Sequence, residues 1–95
     1  MRLTFSPEAV QDLVRIREFI AQNNPPAANR IAAELISRIE QLCSFPEIGR
    51  AIDRPLPTPK NLIHDFSFGN YIVRYVSYID SLTVLRIWHH YENRT

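Results

Sequence analysis

The sequence predicts an α+β fold with the element order β-α-α-β-β-β, in which a helical hairpin packs on one face of a small, mainly antiparallel sheet. Three observations predict it. Two amphipathic segments flank an Asn/Pro break, a short alternating segment precedes them, and three β-rich segments with short connections fill the last third. Because the chain has 95 residues, we expect residues 1–95 to form one domain.

The first strand and the first helix are indicated by local pattern. Arg2–Phe5 alternates polar and apolar residues, as a half-buried strand does. Ser6 suits the N-cap of a helix and Pro7 its first turn, so we expect a helix from Pro7 to about Gln22. The apolar stripe of this helix should consist of Val10, Leu13, Val14, Ile16, Phe19 and Ile20.

The second helix is the clearest element in the sequence. It should follow the Asn23–Pro26 break, because proline cannot continue a helix, and should end at Pro46. Two helices joined by so tight a turn are expected to form an antiparallel hairpin. The apolar residues that recur at three- and four-residue steps are Ala28, Ile31, Ala32, Leu35, Ile39, Leu42 and Cys43.

A loop is expected from Ile48 to Pro59, because Gly49 and three prolines block regular structure there. Arg50, Arg54 and Lys60 make this the most basic stretch of the chain. It is either a solvated connection or a contact for a phosphate or a protein partner.

The last third of the chain should form an antiparallel meander. Strands are predicted at Asn61–Phe68, Tyr71–Ser77 and Leu82–His89, with a hairpin turn at Tyr78–Ser81. With the helices on one face of this sheet, its other face would be open to partners.

The composition excludes several classes of protein. The net charge of +1 permits an anionic partner such as RNA without requiring one. The lone Cys43 rules out a disulfide framework, no Cys/His spacing indicates a metal site, and no glycine-rich loop could hold a phosphate, so we expect no cofactor. No run approaches the roughly 20 apolar residues of a membrane span, and the N-terminus does not look like a signal peptide. We therefore expect a cytoplasmic protein.

Five segments, in this order and spacing, resemble the ParE/RelE toxin superfamily of type II toxin–antitoxin systems, and more closely its ParE branch. The segments are Phe5–Ala9, Asn24–Ala28, Phe45–Arg50, Gly69–Tyr75 and Val84–His89. The resemblance implies the RelE/ParE-like fold and a toxin that arrests growth unless a cognate antitoxin binds it, so that the working assembly is a hetero-oligomer. The antitoxin would wrap the toxin as a helix and sometimes as a strand, and the basic candidates for contacting it are Arg17, Arg50, Arg54 and Lys60.

The target is the open question within the superfamily. ParE-like members act on DNA gyrase without nuclease activity, whereas RelE-like members cut mRNA on the ribosome. RelE-like ribonucleases commonly place an arginine directly after the tyrosine that opens the penultimate strand, but this position is Ile72 here. The basic residue is Arg74, on the same strand face and about 7 Å further along, which is the ParE-like placement.

The C-terminal residues favour the ribonuclease alternative. His90-Tyr91 matches the pair used by YoeB-like ribonucleases, where ParE-like members usually have a glycine and then a basic residue. In that case His90 and Tyr91 would carry protons, and Arg74, Arg50 or Arg86 would hold the phosphate. Otherwise these residues form a polar tail, with His89 bonded to backbone or water. A third possibility is a degenerate member that binds its partner without toxicity.

Arg74 and Arg86 lie within otherwise apolar strands, where an arginine needs a partner. Each is expected either to pair with a helix acid, such as Glu8, Asp12 or Glu18, or to form an exposed basic face. Together with His89 and Tyr91 they are the candidates for binding the target. The aromatic residues Tyr71, Tyr75, Tyr78 and Trp88 either stack on bases or pack within the sheet.

Overall fold

The computed structural model describes residues 1–46, 48–52 and 63–90. Its elements follow the predicted α+β order with one additional strand. They are β1 (Arg2–Phe5), α1 (Pro7–Asn23), α2 (Pro25–Leu42), β2 (Arg50–Ile52), β3 (Ile63–Phe68), β4 (Tyr71–Ser77) and β5 (Ser81–His89).

The described strands form one five-stranded sheet in the order β1-β5-β4-β3-β2. β1 pairs parallel with β5, and every other pairing is antiparallel. The β4–β5 register shifts between Arg74, which faces Arg86, and Tyr75, which faces Val84, so Leu85 is an extra residue in β5. The shift leaves Val73 and Tyr75 of β4 facing Ile87 and Val84, all four buried on the helix-covered side of the sheet.

Two capping residues explain why the helices begin and end where they do. The Ser6 hydroxyl accepts a hydrogen bond from the Ala9 amide at 3.0 Å and donates one to the Leu85 carbonyl at 2.8 Å, which fixes the start of α1 beside β5. Asn24 ends α1 and also caps α2, since its side chain accepts from the Ala27 amide at 3.3 Å. One residue therefore forms the whole hairpin turn.

The core lies between the helical hairpin and one face of the sheet, and its fully buried side chains include Tyr75, Leu35, Ile39 and Ile87. Neither helix of the described residues has the length and apolarity that a membrane crossing requires.

The predicted apolar stripe of α1 is too broad. Ile16 is buried, but Val10, Val14 and Phe19 are 49%, 51% and 64% exposed. α1 packs against α2 and β5, and only the narrow face of the helix that carries Ala9, Asp12 and Ile16 is buried.

The prediction of a loop from Ile48 to Pro59 is wrong in part. Arg50–Ile52 forms the short edge strand β2, in which Arg50 faces Asp65 of β3 and Ile52 faces Ile63. A three-residue strand is too short for an alternation of polar and apolar residues to be recognised in the sequence. Its formation also depends on pairing with β3, which lies ten or more residues away in sequence. Residues 53–59 lie outside the described part of the chain.

Candidate functional site

The sheet face opposite the helices, here called the outer face, carries Asp65, Ile72, Arg74, Arg86 and Trp88. The Arg74 guanidinium contacts both a carboxylate and an aromatic ring. Its Nε and Nη2 donate to the two carboxylate oxygens of Asp65 at 2.9 and 3.0 Å, and its guanidinium lies 5.0 Å from the centre of the Trp88 ring. The bond to Asp65 raises the pKa of Arg74 above its ordinary value, against the opposing effect of burial. Arg74 is therefore a rigid, charge-compensated part of this face.

Arg86 lies opposite Arg74 but reaches round the sheet edge to α1. Its Nε and Nη2 donate to Asp12 at 2.8 and 3.2 Å, which confirms the expected pair with a helix acid. For Arg74 that expectation is wrong, because its partner is a strand acid. The register in which β3 and β4 pair decides that partner, and this register cannot be read from a single sequence.

Asp12 takes the place of a missing strand partner. The pairing of β1 with β5 ends at Val84. Further along β5, the Asp12 carboxylate accepts a hydrogen bond from the Ile87 amide at 2.9 Å, and the Arg15 side chain donates one to the Ile87 carbonyl at 3.2 Å. Burial by itself would raise the pKa of Asp12, which is only 2% exposed, but the bonds from Arg86, Ile87 and Arg15 outweigh it and hold the pKa below its ordinary value. This part of the β5 edge is closed by α1.

A buried tyrosine fixes the turn that follows α2. The Tyr75 hydroxyl donates to the Pro46 carbonyl at 2.6 Å and accepts from the Gly49 amide at 3.0 Å, and its ring stacks on His64 at 5.3 Å. A Cβ at Gly49 would lie 2.6 Å from the Tyr75 oxygen, so only glycine fits. Tyr75 is thus a core residue that positions the start of β2. Its ring is buried and cannot stack on a base, and its hydroxyl already bonds the chain itself.

The end of β5 holds the two histidines. The His89 ring meets Tyr71 edge-on at 5.1 Å, and the His90 amide donates to the Asn70 carbonyl. Tyr91, the other member of the predicted His-Tyr pair, lies outside the described residues.

A groove of about 410 Å³ runs between the two helices, away from the sheet. Arg17 lies in it and bridges the helices, since its Nε and Nη2 donate to the Asn29 side-chain oxygen at 3.3 and 3.1 Å. The apolar residues Val14 and Ile36 in its wall are 51% and 40% exposed. Exposed apolar side chains in a concave surface are typical of a protein-binding groove.

The predicted site residues therefore separate onto different surfaces. Arg74 and Arg86 are neighbours on the outer face, His89 and His90 lie at the end of β5, and Arg17 lies in the groove. Arg50 lies on β2 at the sheet edge, and Arg54, Lys60 and Tyr91 lie outside the described residues.

Sequence reasoning missed Asp65 on the outer face. Its position next to Arg74 follows from the pairing of β3 with β4. The sequence indicates only that Asp65 lies on the strand face opposite to Phe66 and Phe68.

The sequence matches a known protein family over nearly its whole length. Residues 3–94 match the model of a family described as the ParE toxin of the type II toxin–antitoxin system ParDE. Two proteins of Caulobacter vibrioides are similar in sequence. Toxin RelE3 is 32% identical over 93% of this chain and 92% of its own length, and Toxin RelE1 is 30% identical over 94% and 92%.

The fold is also found in a solved structure. A chain of the chromosomal ParDE system from P. aeruginosa superposes with a TM-score of 0.69 at 17% sequence identity, covering 94% of this chain and 95% of the other. Since the family model spans nearly the whole sequence, the chain belongs to the ParE toxin family of type II toxin–antitoxin systems, within the ParE/RelE superfamily.

Proposed function

We propose that this toxin inhibits DNA gyrase and is neutralised by a cognate antitoxin. The observation that carries the choice of target is the state of the outer face. Arg74 and Arg86 are both held by carboxylates of the chain itself, Asp65 and Asp12, and Ile72 is apolar.

A ribonuclease of the RelE type would need these arginines for a different task. RNA cleavage through the 2′-hydroxyl requires cations aimed at the charge that develops on the phosphate. To reach a phosphate, Arg74 would have to leave both Asp65 and the Trp88 ring, and Arg86 would have to leave a carboxylate that is 97% shielded from solvent. The geometry therefore favours a face that binds another protein over one that binds a scissile phosphate.

Trp88 stacked on a fixed Arg74 suits protein binding. Tryptophan and arginine are the residues most enriched among those that dominate interface energy, and a side chain already held in one conformation loses less entropy when a partner binds. Ile72 lies beside Trp88 across the β4–β5 pair and extends the apolar part of this surface.

A supercoiling assay with purified gyrase tests this proposal. The toxin should block supercoiling of relaxed plasmid DNA, and antitoxin added beforehand should abolish the effect. Trp88→Ala should weaken inhibition at least about 10-fold, the scale of a single interface residue. Tyr78→Ala is the matched control, because Tyr78 is an exposed aromatic residue at the β4–β5 turn, beyond the end of β4 and outside the cluster of Ile72, Arg74 and Trp88. Full supercoiling in the presence of excess folded toxin would overturn the proposal.

The alternative is a ribosome-dependent mRNA endoribonuclease, for which His90 and Tyr91 would carry protons. The names of the two Caulobacter relatives, Toxin RelE3 and Toxin RelE1, favour it. Incubation of the toxin with translating ribosomes and a labelled mRNA tests it. Cuts that disappear with His90→Gln or Tyr91→Phe would establish the alternative and displace gyrase as the target.

The antitoxin is proposed to cover the helical groove with an amphipathic helix, giving a hetero-oligomer. The basic residues Arg50, Arg54 and Lys60 remain proposed contacts for the same partner. The site of action is proposed to be the cytoplasm, where gyrase works.

A further inference from the structure

The helical groove has an ordered pattern of side chains along its length. At the end far from the hairpin turn it presents Leu13, Val14 and Ile36. One helical turn nearer the hairpin it presents the polar side chains Arg17, Glu18 and Asn29, and one turn further it presents Ala21 and Pro25. A turn of helix is about 5.4 Å, so the pattern is apolar, then charged, then small and apolar over roughly 11 Å.

Arg17 is the cation of this groove, and its present partner is a weak one. Both of its bonds go to one neutral amide oxygen of Asn29, at 3.3 and 3.1 Å, and both residues are exposed. A guanidinium has five donors in a planar fork that matches a carboxylate, and bonds between two charged groups are shorter and about twice as strong as neutral ones. Asn29 therefore keeps Arg17 extended across the groove without satisfying its charge.

We propose that Arg17 is a specificity-determining residue of this toxin, which selects an antitoxin helix carrying an Asp or Glu one turn from a bulky apolar anchor. The anchor packs between Val14 and Ile36, and the acid replaces or joins Asn29 as the partner of Arg17. The inference rests on the proposed docking of an antitoxin helix in this groove, and it adds the charge that the partner must carry.

The small side chains of the groove allow this contact. Ala21, Ala28 and Ala32 line it beside Arg17, so a helix backbone can approach closely enough for a short Asp or Glu side chain to reach the guanidinium. Glu18 lies next to Arg17 and repels an acid placed on its own side, which favours an acid on the opposite side of Arg17.

A displayed library of helical peptides tests the proposal without knowledge of the natural antitoxin. Each peptide carries leucines spaced i and i+7 on one face and a randomised residue at i+4. The toxin is immobilised through its N-terminus and selected for binders. Ile36→Asp serves as a site marker, because peptides seated in the groove lose binding to that variant.

Asp and Glu should dominate the randomised position among groove-binding peptides, and Lys and Arg should replace them when the selection is repeated on Arg17→Glu. A selected acidic peptide should bind Arg17→Gln at least about 10-fold more weakly than the wild-type toxin, as expected for loss of a charge pair at an interface. Arg30→Gln is the matched control, since Arg30 is an exposed arginine of α2 that does not line the groove, and its affinity should stay within about twofold.

No preference at the randomised position, or the same preference on Arg17→Glu, would overturn the role of Arg17. Peptides that all survive Ile36→Asp would overturn the groove as the docking site, and so would a toxin dimer that buries Ile36 in solution. Supercoiling by gyrase is measured separately on the same protein, so a failure of the gyrase proposal is distinguishable from a failure of this one.

Discussion

Replacing Asp12 by alanine should destabilise the toxin more than any other single change to a charged residue on α1. Asp12 is 2% exposed and accepts hydrogen bonds from Arg15, Arg86 and the backbone amide of Ile87. Loss of the carboxylate leaves the buried Ile87 amide without its acceptor, which costs about 1–3 kcal/mol. The two arginines are 39% and 37% exposed, so each can turn to solvent, and each lost pair adds only about 0–1 kcal/mol.

The free energy of unfolding should therefore fall by about 1–5 kcal/mol in Asp12→Ala. Asp12→Asn should cost less, about 1–2 kcal/mol, because an amide oxygen can still accept from Ile87. Urea denaturation of the antitoxin-free toxin, followed by Trp88 fluorescence, gives both values, and each kcal/mol corresponds to a shift of roughly 4–8 °C in Tm.

The control is Glu8→Ala, an exposed acid in the first turn of α1, which should stay within about 0.5 kcal/mol of wild type. Equal losses for Asp12→Ala and Asp12→Asn would show that the Ile87 amide does not depend on this acceptor. A loss below about 0.5 kcal/mol in Asp12→Ala would refute the account of the β5 edge altogether.

Four further predictions concern pH, the Tyr75 hydroxyl, Gly49 and the outer face. Because the folded-state pKa of Asp12 lies below its ordinary value of 3.8, its contribution to stability is present above that value and is lost as the pH falls through the lower folded-state pKa. In Asp12→Asn the free energy of unfolding should therefore fall less steeply at acid pH than in the wild type. An unchanged fall would contradict this prediction. Tyr75→Phe should cost about 1–3 kcal/mol, because the Gly49 amide and the Pro46 carbonyl lose their partner. Gly49→Ala should be destabilising in the wild type and less so in Tyr75→Phe, since the oxygen 2.6 Å from the new Cβ is gone; additive losses in the double-mutant cycle would argue against the close contact. Asp65→Ala should cost no more than about 1 kcal/mol in stability, as expected for a partly exposed pair, yet should weaken gyrase inhibition by releasing Arg74 from its fixed position; inhibition at the wild-type level would contradict the need for a fixed arginine.

Much of the fold could be predicted because the signals are local. Asn24 and the prolines after it punctuate two amphipathic helices, and Ser6-Pro7 gives the start of the first one within a residue. The β-branched and aromatic residues of Tyr71–Ser77 gave β4 with its observed bounds. Each of these decisions depends on a few neighbouring residues.

The remainder depends on which residues meet across the fold. The partner of Arg74 is Asp65 only because β3 and β4 pair in one particular register. The partner of Arg86 is Asp12 only because β1 ends opposite Val84, so that α1 and not β1 lies beside the next part of β5. The exposure of Phe19 has the same origin, since an apolar pattern shows that a helix has an apolar face but not how wide a surface covers it. The candidate site was therefore predicted as a set of residue types, and its geometry was not.

Mapping the damage in cells after induction of the toxin tests the choice of gyrase most directly. Sequencing of DNA ends and of mRNA 5′ ends is carried out on the same culture, with co-expressed antitoxin as the control. The account predicts protein-linked DNA breaks at gyrase sites and an induced DNA-damage response, with mRNA ends unchanged. New mRNA ends at codon positions within translated frames, without DNA breaks, would contradict it.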